Sequence, residues 1–138
     1  MELQVVFPKG LPGLEQMVEC TLTRLEEGPF YILHSKTEEI SLVLTDPRGF
    51  IEGYQIQIPV QDLEDIGVNS EQDAVVLLVT ILGDTPSDFC VNLMAPVVIN
   101  QRNGTGKQVI LSNSGYPSRY PLFSKSLFGA GGSYAGIG

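Results

Sequence analysis

Apolar and polar residues alternate with a period of two along most of the chain, the pattern of half-buried strands. Leu3, Val5 and Phe7 alternate around Gln4, and Val18, Cys20 and Leu22 alternate with Glu19, Thr21 and Thr23. Phe30–Leu33 follows the Glu27-Gly28-Pro29 turn as a compact strand. Ile40–Leu44 is the next, stopped by Asp46-Pro47-Arg48-Gly49, with proline at the second position of a type I turn. Phe50–Ile58 alternates again, Tyr54, Ile56 and Ile58 against Gln55 and Gln57, up to Pro59. Ala74–Leu82 is nearly continuous in β-branched residues and leucine, which marks a central strand buried on both faces. Phe89–Met94 and Val97–Gln101 follow, split by Pro96. Lys107–Leu111 returns after Asn103-Gly104-Thr105-Gly106, where Asn-Gly supplies two residues tolerant of positive φ. A helical signal interrupts once: Asp62 is expected to cap a short helix around 61–66 that Gly67 ends, and Ser70 to open a second turn. The pattern predicts an all-β fold, a small closed or half-closed antiparallel β-barrel of about nine strands with one short helix.

Composition narrows the class. A chain of 138 residues, 43% hydrophobic and 17% charged, supports one globular core. The barrel domain is expected over residues 1–123, with Ser124–Gly138 a glycine-, alanine- and serine-rich flexible tail. No apolar run reaches the ~18 residues that span a bilayer, and the N-terminus lacks a basic segment followed by a long apolar one. Cys20 and Cys90 both sit in strand-like patterns and are expected as buried, reduced thiols of a cytosolic protein.

Charge is unevenly distributed. All sixteen acids lie between Glu2 and Asp88, against four bases there, a net of −12; from Phe89 onward there are four bases and no acid, a net of +4. An acidic body repels phosphate backbones, which argues against direct nucleic-acid binding, and attracts basic protein partners. Asp62, Glu64, Asp65, Glu71 and Asp73 crowd into one connection, Pro59–Asp73, either a solvated crossover or an acidic docking ledge.

Catalytic chemistry finds little support. His34 is the only histidine, and no G-x-S-x-G elbow accompanies any serine. Neither cysteine has a helix N-terminus or a local base to lower its pKa. One histidine and two cysteines cannot form a zinc site at these spacings, and no calcium-loop pattern occurs. Glu26-Glu27 and Glu38-Glu39 are adjacent, so on strands or turns they point apart and do not form a hydrolytic dyad. No cofactor is implied, and the reading is non-enzymatic. Two alternatives remain: a barrel binding a small ligand in a cavity with convergent polar groups, and a small hydrolase built on His34.

The loop Phe7–Glu15, Phe-Pro-Lys-Gly-Leu-Pro-Gly-Leu-Glu, is shaped by two prolines and two glycines. It matches neither phosphate-loop pattern. It is expected as a rigid corner in which Leu11 and Leu14 plug one end of the barrel, while Gly10, Pro12 and Gly13 set its shape. Gly10-Leu11-Pro12-Gly13-Leu14-Glu15 resembles the G-L-P-G-F-E opening signature of the flagellar assembly factor FliW family, with Leu14 in place of the aromatic. Pro29-Phe30 before Tyr31-Ile32-Leu33, Asp46-Pro47, Tyr54 and Thr80 fall in the family's order. Asn92–Asn100 is similar to its N-L-x-A-P-I-V-I-N segment, and Gln108-Val109-Ile110-Leu111 follows. The resemblance covers roughly residues 3–123.

The resemblance implies a cytoplasmic factor, monomeric when unbound, with two mutually exclusive partners. One is newly made flagellin, bound in a chaperone-like way. The other is the translational repressor CsrA, a small basic RNA-binding dimer whose capture relieves repression of flagellin mRNA. For CsrA the expected surface is the Pro59–Asp73 connection, with Asp62, Glu64, Asp65, Glu71 and Asp73 as charge partners. For flagellin it is an apolar surface near Asn92, Met94 and Pro96, or the tail.

Overall fold

The computed structural model describes residues 2–123; the tail 124–138 lies outside the described residues. Nine strands form one sheet: β1 (Glu2–Val6), β2 (Glu19–Arg24), β3 (Phe30–Ser35), β4 (Ser41–Thr45), β5 (Ala74–Ile81), β6 (Cys90–Val91), β7 (Val97–Asn100), β8 (Thr105–Gln108) and β9 (Tyr120–Pro121). Seven of them run β4-β3-β2-β1-β8-β7-β5, and β4 pairs with β5 to close the barrel. β6 and β9 extend outward from β5 as a flap. All pairings are antiparallel except β1–β8, which is parallel and registers only Val6 with Thr105. That ladder stops for a chemical reason. Val6 N–H reaches Gly104 O at 2.7 Å, and the next N–H to face β8 would come from residue 8, a proline without a donor.

β5 is apolar at every position but Thr80 because both of its faces are covered. Leu77 faces the barrel interior with Val5, Phe7, Leu11 and Leu33, whereas Leu78 faces outward under the β6–β9 flap with Val91, Leu93 and Tyr120. Val76 packs outward in a third cluster with Ile66, Val68, Val98 and Val109. Three partners, β7, β4 and β6, take successive stretches of β5, and burial fades at its end: Ile81, still paired with Cys90, and Leu82 beyond it are exposed.

Five expectations are corrected. Phe50–Ile58 is not a strand. Pro47 opens its turn rather than standing second in it, with Phe50 and Ile51 N–H both bonded to Pro47 O. Tyr54–Ile58 is extended and keeps its side-chain alternation, but it has no ladder partner. The Tyr116 hydroxyl substitutes for one, accepting from Gln55 N–H at 3.0 Å and donating to Gln55 O at 2.8 Å. Asp62 does not cap the helix α1 (Val60–Asp65); Pro59 holds that position, with φ fixed near the helical value, and no side chain caps it. The β7–β8 connection is a four-residue loop, 101–104, in which only Gly104 has positive φ, so Thr105 and Gly106 belong to the strand. Cys20 is buried, and burial pushes its thiol pKa up, but Cys90 is only half-buried.

Candidate interaction surface

The acidic connection lies against the outer wall of the barrel. α1 begins at Pro59, whose carbonyl accepts from Asp62 and Leu63 N–H. It ends in a Schellman motif: Gly67 at φ 74° donates to Glu64 O, and Val68 donates to Leu63 O at 2.9 Å. Leu63 and Val68 share the apolar cluster beneath the helix, as that motif favours.

The β7–β8 hairpin fastens the connection from outside. Asn100 and Asn103 both donate side-chain N–H to Ile66 O, at 2.9 and 3.1 Å. Lys107 Nζ bridges Asp62 Oδ1 at 2.6 Å and Asp65 Oδ2 at 2.8 Å. These carboxylates raise the Lys107 pKa, and Lys107 together with Gln61 holds the Asp65 carboxyl below its ordinary range. Arg102 stands 3.7 Å from Asp73, and Gln101 donates through its main chain to Asp73 O and through its side chain to Gln72 O. Three of the five acids are therefore held by the hairpin. Glu64 and Glu71 are exposed and form no ion pair among the described residues.

The loop after β1 joins this surface. Leu11 is buried in the barrel core, Leu14 packs against it, and the two exchange backbone hydrogen bonds of 3.1 and 2.7 Å. Gly10 has φ 69°, and a Cβ there would lie 2.3 Å from Glu15 O, so both the backbone and the space demand glycine. Where β1 and β8 part at Pro8, a cleft of about 420 Å³ opens. Lys9, Leu11 and Glu15 line one side of it, and Asp65, Ile66, Lys107 and Gln108 the other. The signature loop and the acidic connection, fifty residues apart in sequence, thus share one cleft.

The remaining sites are separate. Asn92 Oδ1 accepts from Met94 and Ala95 N–H and so closes its own turn; Pro96 is buried, and Met94 is half-buried. His34 Nδ1 contacts Ser41 Oγ across β3 and β4 on the solvent side, as a register pair. Among the described residues no carboxylate meets that imidazole, no group of three His, Cys, Asp or Glu converges on a metal position, and no helix is long and apolar enough to cross a membrane. Sequence reasoning missed Lys107, Arg102 and the two asparagines. The register that sets Lys107 beside Val98, whose side chain faces α1, is fixed by the folded hairpin and not by the predicted Asn103–Gly106 turn.

Comparison with known proteins agrees with this architecture. The family model described as FliW protein matches residues 2–122. The flagellar assembly factor FliW of Geobacillus kaustophilus is 36% identical over 124 residues, covering 89% of this chain and 86% of the relative. That of Natranaerobius thermophilus is 38% identical, over 87% and 82%. A crystal structure of the flagellar assembly factor FliW superposes with a TM-score of 0.83 at 34% identity, covering 88% of this chain and 86% of that one. The chain belongs to the FliW family of flagellar assembly factors.

Proposed function

We propose that the protein is a non-enzymatic cytoplasmic regulator that binds either flagellin or CsrA, and that its capture of CsrA releases flagellin mRNA for translation. The observation that carries this reading, beyond family membership, is the connection on the barrel wall with Glu64 and Glu71 exposed and uncompensated among the described residues. A basic RNA-binding partner is complementary to such a surface. Asp62, Asp65 and Asp73, paired with Lys107 and Arg102, contribute by holding the connection in place. Flagellin takes a separate apolar surface around Met94 and the Asn92–Pro96 turn.

The test is displacement of a labelled flagellin-leader RNA from CsrA, with flagellin added as competitor. The protein is expected to release the RNA, and flagellin to restore it. Glu64→Lys with Glu71→Lys is expected to weaken CsrA binding by about tenfold at ~0.1 M salt. Undiminished affinity in the folded double variant rules the connection out as the CsrA surface. RNA that stays bound at saturating protein rules out the antagonism itself.

A further inference from the structure

The barrel is open at the end where β1, β3 and β5 begin, away from the loop that follows β1. A crevice of about 410 Å³ enters there between Leu3, Leu22, Tyr31, Val75 and Ile99, a volume in the range that small ligands and peptide side chains occupy. Its lining mixes apolar side chains with polar ones, among which Tyr31, whose hydroxyl still reaches solvent, and Glu71 are the groups open to a ligand. Tyr31 is only 8% exposed, it lines the crevice, and its hydroxyl makes no hydrogen bond among the described residues. Glu71 stands at the rim. The other charged group there, Arg48, is neutralised by Asp46 at 2.8 Å, so Glu71 supplies the crevice's one uncompensated charge among the described residues.

The extended segment Tyr54–Ile58 borders the same crevice, with Tyr54 and Ile56 lining it. The main-chain N–H and C=O groups of Ile56, Gln57 and Ile58 form no hydrogen bond among the described residues. On its other side the segment faces an open groove of about 740 Å³ lined by Tyr54, Gln55, Ile56 and Gln57. An extended backbone with free donors and acceptors beside an apolar pocket is the arrangement that recognises a peptide by strand addition: main-chain bonds hold the peptide, and the pocket selects a side chain.

We propose that this end of the barrel docks an extended, basic peptide segment of a protein partner, its main chain pairing with Ile56–Ile58, one apolar side chain entering beside Tyr31, and a lysine or arginine meeting Glu71. The site is separate from the cleft at Lys107 but shares Glu71 with the proposed CsrA surface; because the probe is a peptide and neither CsrA nor flagellin enters the assay, its failure leaves that reading standing.

The probe is a blocked heptapeptide of alternating lysine and leucine, titrated by fluorescence anisotropy and by amide NMR of the full chain. The largest shifts are expected at Ile56, Gln57, Ile58 and Tyr31. N-methylation of the probe's leucines, which removes main-chain donors, is expected to weaken binding at least tenfold. Replacing its lysines with glutamates is expected to do the same. Val75→Phe fills the crevice and is expected to weaken binding tenfold; Tyr31→Phe, which breaks no internal bond, is expected to weaken it about threefold while leaving the fold intact. Absence of saturable binding at ~1 mM peptide, undiminished affinity of the N-methylated probe, or shifts centred on Lys107 and Gln108 would overturn the proposal. So would tight binding of octanoate at Tyr31 with no peptide response, which would make the crevice a small-amphiphile site.

Discussion

Ile66 O receives two side-chain donors, Asn100 Nδ2 and Asn103 Nδ2, and this shared acceptor makes a quantitative prediction. Ile66 is buried and follows the last residue of α1, so its carbonyl has little access to water. Asn103→Ala removes one donor while the other stays, and its expected cost is about 1 kcal/mol, the net worth of an ordinary hydrogen bond. Asn100→Ala costs more, about 2–3 kcal/mol. It also removes the Oδ1 acceptor of Arg102 N–H at 2.9 Å and opens a small void in a side chain only 2% exposed. Removing both leaves the carbonyl unsatisfied, adding a desolvation penalty of roughly 1–3 kcal/mol that neither single variant incurs. The double variant should therefore lose more than the sum of the singles, by at least ~1 kcal/mol. Urea unfolding measures this directly, as midpoint shifts at unchanged slope, and amide exchange should show Gly67 and Val68 losing protection first. Additivity within about 0.5 kcal/mol would show that the two amides act independently rather than backing each other up at one carbonyl, and refute the account of how the connection is anchored.

Glycine positions in the signature loop should differ sharply. Gly10→Ala drives a Cβ to 2.3 Å from Glu15 O and should cost well over 2 kcal/mol, whereas Gly13→Ala, with φ 80° but open space, should cost only the ~1 kcal/mol of left-handed backbone; thermal melts of the pair check the ordering. Tyr54→Phe removes the 2.6 Å bond to Leu93 O and should cost about 1–3 kcal/mol in urea midpoint, since that carbonyl belongs to a buried residue. Burial, with Tyr116 adding, raises the Tyr54 pKa, and the Asp62 and Asp65 carboxylates raise that of Lys107. Both groups therefore contribute stability that is fully present below their ordinary values of 10.0 and 10.5 and is lost as pH rises through the higher folded ones. A pH series of melts should decline from near pH 10 upward, and less steeply in Tyr54→Phe.

Much of the barrel is legible in the sequence because period-two alternation reports extended backbone faithfully. The continuous apolar run of β5 is legible for a different reason, since one face fills the barrel and the other is covered by α1 and the β6–β9 flap. Alternation says nothing about who supplies the hydrogen bonds. Tyr54–Ile58 alternates as well as any strand, yet it is fastened by a tyrosine hydroxyl. β9 is two residues long and carries no period at all. The corner at Gly10–Leu14 is readable because proline and glycine restrict the backbone locally. At the candidate surface the acids stand out by crowding, but Lys107 and Arg102 do not, because which acids they meet depends on how the hairpin lies against α1.

That pairing changes how the charge of the molecule works. In sequence the acids occupy one stretch and the later bases another, which suggests a single negative ledge at Pro59–Asp73. In the fold, Lys107 and Arg102 pair with three of the ledge's five acids and offset two of those three negative charges. Glu26-Glu27 and Glu38-Glu39 sit in the β2–β3 and β3–β4 turns, and so at opposite ends of the barrel. The negative field is therefore spread over the body, and at ~0.1 M salt each exposed charge acts over about 10 Å. Association with a basic partner should be steered by the whole distribution, and dissociation governed by the few acids in contact. Reversing Glu26 and Glu27 should then slow binding to CsrA, the partner proposed above, at low salt about as much as reversing Glu64 and Glu71, while only the second pair should speed release. Surface plasmon resonance across an ionic-strength series separates the two rates. If reversal of Glu26 and Glu27 leaves the association rate unchanged at ~0.02 M salt, the field is local after all, and the connection alone carries the electrostatics.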